Sequence, residues 1–496
     1  MSRSAPRGGK RITLAALACV LVGNTLAAGQ TPAPTPEKPA RTALPLPTDT
    51  WTGDLDELVK RRFLRVLVAY SKTFFFVDRG TQRGTSHDVM KAFEEELNRR
   101  LKTKHLRVNV MFIPVARDKL LTGLIEGRGD IAAANLTITP ARRELVDFAD
   151  PWITGVSEIA VTGPASPTLA SVDDLAGREV FVRRSSSYHE SLVKLNERLR
   201  QQGKREVVLV PAPENLEDED LLEMLNAGLV KILVVDSHKA VFWKQVFPDL
   251  TLHTEIAIRT GSEIAWAIRK GSPKLKAELN AFAKTHGQKT LFGQVTLQRY
   301  LKSTQFVKSA TADAEMRKFR ALVALFRKYG DHYGMDWMLM AAQGYQESKL
   351  DQDARSRSGA VGVMQVLPAT GRQLQVGDIH KVDPNVHAGT KYVRFMIDKY
   401  FKDEPMDELN KGLFAFASYN AGPARIRQLR QEAARRGLDP NVWFDNVERI
   451  AAAKIGRETV TYVSNIYKYF VAYTLVQGEH LDRLETKKAL GQSPAK

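Results

Sequence analysis

AAQGYQESKLDQDARSRSGAVGVMQ, Ala341 to Gln365, is the stretch from which the rest of the chain is read. The residues before Glu347 (Trp337, Met338, Leu339, Met340, Ala341, Ala342, Tyr345) are helix formers, apolar on more than one face. Asp336 ahead of them suits an N-cap, so a helix is predicted from Asp336 to Glu347. A carboxylate closing such a helix is partly buried. Burial disfavours its charged form and raises its pKa, as a general acid at neutral pH requires. A short polar loop and a glycine-led turn, Gly362-Val363-Met364-Gln365, follow. Taken alone, Glu347 would be read as one more solvated glutamate beside its i−4 neighbour Gln343.

Three further motifs change that reading. After Glu347-Ser348 and GVMQ come ASYNAGP, Ala417 to Pro423, and ETVTYV, Glu458 to Val463, in that order. The set resembles the catalytic domain of the soluble lytic transglycosylase family, which is goose-lysozyme-like, over about residues 319–476. Valine at 363 and serine at 418 replace the family's leucine and alanine. The resemblance implies a mostly-α lysozyme-like domain with Glu347 as the catalytic acid. It puts Ser348, Met364, Gln365, Tyr419, Asn420, Glu458 and Tyr462 around the glycan. Tyr419 would hydrogen-bond the glutamate, and Glu458 would support the site structurally. Read from composition, Met364 and Tyr419 would simply be core.

Glycosidic cleavage usually employs two carboxylates. Asp351 and Asp353 lie near Glu347 but read as turn formers, and an EF-hand is excluded because Gly362 stands at the twelfth position from Asp351. A single-acid mechanism fits better, and the resemblance implies it. Glu347 would protonate the muramic acid–glucosamine bond and then deprotonate the C6 hydroxyl, leaving a 1,6-anhydro end without net hydrolysis. A hydrolytic muramidase, or a solute receptor with an inactive C-terminal domain, stays open as an alternative. No cofactor or metal is expected.

The remainder of the 496 residues suggests two or three domains. A formal charge of +17 favours anionic partners, but no motif supports nucleic acid. Arg3, Arg7, Lys10 and Arg11 precede an apolar run at 12–22, too short to span a bilayer and right for a signal peptide ending near Ala27-Ala28-Gly29. Export to the periplasm with association to the outer membrane is expected. Lipoprotein processing at Cys19, the sole cysteine, is the alternative to ordinary cleavage. The proline-rich residues 30–50 read as a linker.

From Trp51 to about Tyr300, strand and helix patterns alternate, which predicts an α/β domain with mainly parallel sheets. Within it, Gly127 to Asp130, Thr139-Pro140-Ala141-Arg142 and Phe148-Ala149-Asp150-Pro151-Trp152 resemble the family-3 extracellular solute-binding domains, which are two-lobed and periplasmic-binding-protein-like. That resemblance implies a cleft in which Arg142 grips a ligand carboxylate by two parallel hydrogen bonds. Asp236 would face an amino group, and Thr137, Ser186 and Ser187 would add contacts. A cell-wall peptide or amino acid would suit. Ser185 stands where glycine is usual, which puts close backbone approach in doubt. The bland alternative pairs Arg142 or Arg143 with Glu144 or Asp147 over a vestigial cleft. The predicted order is signal peptide 1–29, linker 30–50, solute-binding-like domain 51–300, linker 301–313, transglycosylase-like domain 314–477 and a loose charged tail 478–496.

Overall fold

The computed structural model describes residues 46–47, 49–304 and 313–492. The expected signal peptide, Cys19, nearly all of the proline-rich linker and most of the 301–313 linker lie outside the described residues.

Phe63–Val68 is buried throughout and apolar apart from Arg65, whose guanidinium is paired with the buried Asp130 at 2.9 Å. It runs parallel to Asn109–Pro114 on one side and to Ile131–Thr137 on the other. The sheet is not mainly parallel, however. Thr251–Ile268, 18 residues long, adds antiparallel to Ile131–Thr137, and Ile153–Thr162 pairs antiparallel with it. Ile232–Asp236 completes the far edge. Two long strands thus carry the chain out of the first lobe and back, and an outgoing and a returning strand that pair directly must be antiparallel. Each lobe keeps its own core, the second built around Leu216, Leu222, Phe242 and Trp243.

The second half is helical, as the periodicity predicts. Asp313–Tyr333, Trp337–Ser348, Val382–Tyr400 and Glu408–Ala421 pack around a core containing Phe326, Met364, Phe414 and Trp443. The last helix departs from expectation. The apolar period suggests an end near Val476, but the helix runs from Arg457 to Ala489. One face of its first half lies in the helical core through Val463, Ile466 and Phe470, while Ala472 and Val476 join the core of the first lobe. In return Phe63 and Met111 of the first lobe sit in the helical core. Arg62 and Glu448 form a buried ion pair across the same junction.

Residues 478–489 are therefore not a loose tail. Their charges read as solvated because their partners lie some 260 residues away in sequence. Arg483, 6% exposed, donates to Tyr70 O (2.5 Å) and Asn215 O (3.1 Å) and faces Asp220 at 3.3 Å. Lys487 reaches Asp220 at 2.6 Å and Glu223 at 2.8 Å. The four consecutive acids Glu217 to Asp220 open the short helix Asp218–Asn226, are all buried, and receive this positive end. Removing one member of a buried ion cluster costs about 3 kcal/mol because the others lose compensation. Arg483→Ala should therefore lower unfolding stability by about that amount in urea titration. A chain ending at Gln477 should melt several degrees below the full chain, whereas a truly loose tail would leave the melt unchanged.

Candidate active site

The helix that presents Glu347 begins as its sequence predicts. Asp336 accepts from Met338 N at 2.8 Å, and the apolar residues Leu339 to Ala342 are buried. It ends because Lys349 turns left-handed (φ 60°), its ammonium lying 4.2 Å from the Tyr345 ring centroid. Glu347 thus sits in the last turn, half-buried and lining a groove. Burial pushes its carboxyl up to about 7, against the opposing effect of a hydrogen bond from Tyr462. Among the described residues, no other carboxylate contributes to the shift.

The glycine-led turn packs beneath this helix end. Gly362 has φ +77°, and a Cβ there would come within 2.6 Å of the Asn385 and Gln352 amides. Asn385, fully buried, pins the turn by accepting from Met364 N (2.8 Å) and donating to Val361 O (2.8 Å). Sequence reading missed this asparagine, since a single polar residue early in a helix carries no motif signal. Met364 was expected to line the sugar site. Its side chain is instead in the core with no exposed surface, closed over by Gly389, where a Cβ would approach it to 2.6 Å. Gln365 is half-buried and folds back on Ala354 O (3.2 Å) and Gly362 O (2.9 Å). Ser348 donates to Val363 O at 2.9 Å and accepts from Asp351 N at 3.0 Å, tying acid helix, turn and loop together.

The tyrosines exchange their expected parts. Tyr462, not Tyr419, donates to Glu347 Oε1, at 2.5 Å. Gln343, also buried, donates to the Tyr462 oxygen at 3.2 Å, so a chain of three side chains aims the phenol. Tyr419 donates to Met364 O at 2.7 Å and braces the turn. It still lies near the acid: burial first, then the charge of Glu347, push its hydroxyl well above the ordinary value. Asn420 accepts from Thr459 Oγ1 at 2.7 Å. Glu458, expected to be structural, is exposed on the groove wall.

The groove encloses about 550 Å³ and is lined by Glu347, Asn420, Glu458 and Tyr462. Its other wall belongs to the first domain, through Lys91, His105, Arg107 and Asn109, which no catalytic motif could have announced. Among the described residues, no group of three or more His, Cys, Asp or Glu is placed to hold a metal.

The first domain's cleft gathers its predicted residues, but they face one another. Arg142 donates to Glu190 Oε1 (2.9 Å) from the opposite lobe, to Thr137 O (3.2 Å) and to Ser185 O (2.9 Å). Within the protein, then, Arg142 pairs with Glu190 and not with Glu144 or Asp147. Ser187 donates to Thr137 Oγ1 at 3.2 Å, and Ser186 caps the helix Ser187–Gln201. Asp236 pairs with Lys239 at 3.0 Å and accepts from Asn135 at 3.0 Å. A second latch, missed in the sequence, joins Arg117 to Glu217 at 2.8 Å. The space left is about 30 Å³, room for one water.

Because the Tyr462 hydrogen bond favours ionised Glu347, Tyr462→Phe should raise its titration midpoint further above about 7. Carbon-13 NMR of labelled glutamate carboxyls measures this directly. A midpoint that falls or stays put would remove Tyr462 from the acid's control.

Two families match the chain. Residues 64–294 match the bacterial extracellular solute-binding proteins, family 3, and residues 324–441 match the transglycosylase SLT domain. A membrane-bound lytic murein transglycosylase F of Desulfosudis oleivorans is 28% identical over 421 residues, covering 82% of this chain and 88% of that protein. A protein of the same name from Pseudomonas fluorescens is 26% identical over 455 residues, covering 86% and 88%. The solved structure of an ancestral arginine-binding protein bound to arginine covers 48% of this chain and 98% of its own, at 24% identity and TM-score 0.40. The chain thus carries a family-3 solute-binding match followed by an SLT transglycosylase match, and over more than four-fifths of its length it is similar to proteins named membrane-bound lytic murein transglycosylase F.

Proposed function

We propose that this protein is a peptidoglycan lytic transglycosylase in which Glu347 serves alone as acid and then as base. The observation that carries the reading is a carboxyl raised to about 7 by burial, lining a groove of about 550 Å³, with no second carboxylate among the described residues acting on it. Near neutral pH a large fraction of Glu347 is protonated and able to donate. Tyr462 holds Oε1, which leaves the proton on the other oxygen, and the same phenol stabilises the carboxylate once the proton has gone.

The reaction follows from those two states. Protonated Glu347 gives its proton to the oxygen joining muramic acid to glucosamine, and the C1–O bond breaks as the sugar takes on oxocarbenium character. The new carboxylate removes the proton from the C6 hydroxyl of the same sugar, and that oxygen bonds to C1. Glu347 ends protonated as it began, and no water is consumed. Intramolecular attack carries a high effective concentration, so the site has no need to position a water. Ser348, Asn385 and Tyr419 hold the acid helix and the turn in register. Asn420 and Glu458 contact the glycan from the groove wall.

In the first domain, Arg142 and Asp236 suit the carboxylate and amine of an amino acid or short wall peptide, with Glu190 giving way to the ligand. The family-3 match supports this reading. At the N-terminus, the basic start and the apolar run at 12–22 support export, and the relatives' name supports membrane association. No described helix is long and apolar enough to cross a membrane. The mass of the mature N-terminus separates ordinary signal cleavage from lipidation at Cys19.

Glu347→Gln keeps the shape but loses the proton, so turnover of purified peptidoglycan should fall at least about a hundredfold. Wild-type products should carry 1,6-anhydro ends by mass spectrometry, and reducing ends would mean a hydrolase instead. Activity should decline as pH rises through about 7, because the acid form is the one that starts the reaction. For the cleft, Glu190→Gln removes the protein's own competitor for Arg142 and should tighten amino-acid or peptide binding in calorimetry. Absence of binding by both proteins at millimolar ligand would make the domain a docking module.

A further inference from the structure

We propose that the polar stripe of the terminal helix, through Ser464 and Lys468 and walled by the first domain, binds a carboxylate of the stem peptide carried by the glycan. The inference rests on the transglycosylase reading and adds to it a substrate contact made jointly by the two domains.

Arg457, Thr461, Ser464, Asn465 and Lys468 recur every three to four residues, so they share one face of the helix Arg457–Ala489. All five line the groove that holds Glu347. Lys468 lies six residues past Tyr462, about 9 Å along the axis. That span suits a substituent of the sugar being cleaved better than the reacting bond.

Three groups along this stretch are short of partners. Lys468 is 9% exposed, and its ammonium, with three donors, has Asn109 Oδ1 at 3.0 Å as its described acceptor. Glu94 is the nearby acid, but it already receives Val110 N at 2.5 Å and Lys91. Arg107 is likewise taken, by Glu95 at 2.5 Å. Glu94 attracts Lys468 by its charge, but its oxygens are engaged elsewhere, so the Lys468 ammonium forms no described ion pair and keeps donors to spare beyond Asn109. One turn back, Ser464 Oγ is buried with no partner, and so is Gln346 Oε1 beside the acid. Buried polar groups left unpaired cost free energy that a ligand can recover.

The unused groups specify the ligand. A hydroxyl and an ammonium at positions i and i+4 offer two donors to one carboxylate. An amide oxygen nearby accepts an N–H. A donor pair for a carboxylate beside an acceptor for an amide fits a peptide attached to the sugar, and a bare glycan supplies neither partner. Burial also lowers the Lys468 ammonium to about 8, a cost that an anionic ligand would reverse.

The experiment compares glycan strands carrying stem peptides with the same strands stripped by an amidase, scoring anhydro-ended products. Wild type should prefer the peptide-bearing strands. Lys468→Met should lower the ratio of kcat/KM on the two substrates at least about tenfold. Ser464→Ala should lower it less, and Lys468→Arg should largely preserve it. Circular dichroism and melting of each variant establish the fold. Equal losses on both substrates, or no change in the ratio, would overturn the site. If wild type yields no anhydro ends from either substrate, the transglycosylase reading fails by itself. The site is then judged by calorimetry of a disaccharide-tetrapeptide against wild type and Lys468→Met, and equal affinity would overturn it.

Discussion

One helix belongs to two cores, and much of the molecule depends on that constraint. Arg457–Ala489 buries Val463, Ile466 and Phe470 among the helices of the catalytic half and Ala472 and Val476 in the first lobe of the other half. A helix of 33 residues spans about 50 Å and bends only gently, so whatever docks along it is held in fixed relation. Tyr462 near its start sets the acid. Lys468 in the middle meets Asn109 of the first lobe at 3.0 Å. Arg483 near its end reaches both Tyr70 of the first lobe and Asp220 of the second. The catalytic groove therefore has one wall from each domain.

At Glu347 two opposing effects set the chemistry, and their order of size decides it. Desolvation raises the carboxyl and the Tyr462 hydrogen bond lowers it, with a net position near 7. Were the hydrogen bond the larger effect, the group would be an ordinary carboxylate with no proton to give. The same phenol that limits the rise also steadies the ionised state, so one contact serves both halves of an acid–base cycle. Its aim depends on Gln343, whose own position inside the acid helix leaves it without exposed surface.

The first domain presents the opposite situation. Its ligand-type residues meet, but they are paired within the protein: Arg142 with Glu190, and Asp236 Oδ2 with Lys239 and Asn135. Charges drawn into a closed interface need partners, and here the two lobes supply them to each other. A ligand must replace those partners as well as fit the space.

The half-buried Glu347, its helix and the order of the two domains were legible in the sequence because each rests on local information. Apolar period and an N-cap predict Trp337–Ser348, and four ordered motifs pick Glu347 out of many glutamates. Arrangements between distant residues were not legible. Which tyrosine reaches the acid, whether Met364 faces sugar or core, and what Arg142 grips are settled by packing between segments tens to hundreds of residues apart. The charged end after Gly478 shows the reason most plainly. Arg483 and Lys487 look solvated in one dimension, since their partners Asp220 and Glu223 come near only once both domains have folded around the same helix. Sequence determines which groups are present and how each segment prefers to fold, but burial and pairing are properties of the assembled interior, and those decided the acid's pKa and the walls of its groove.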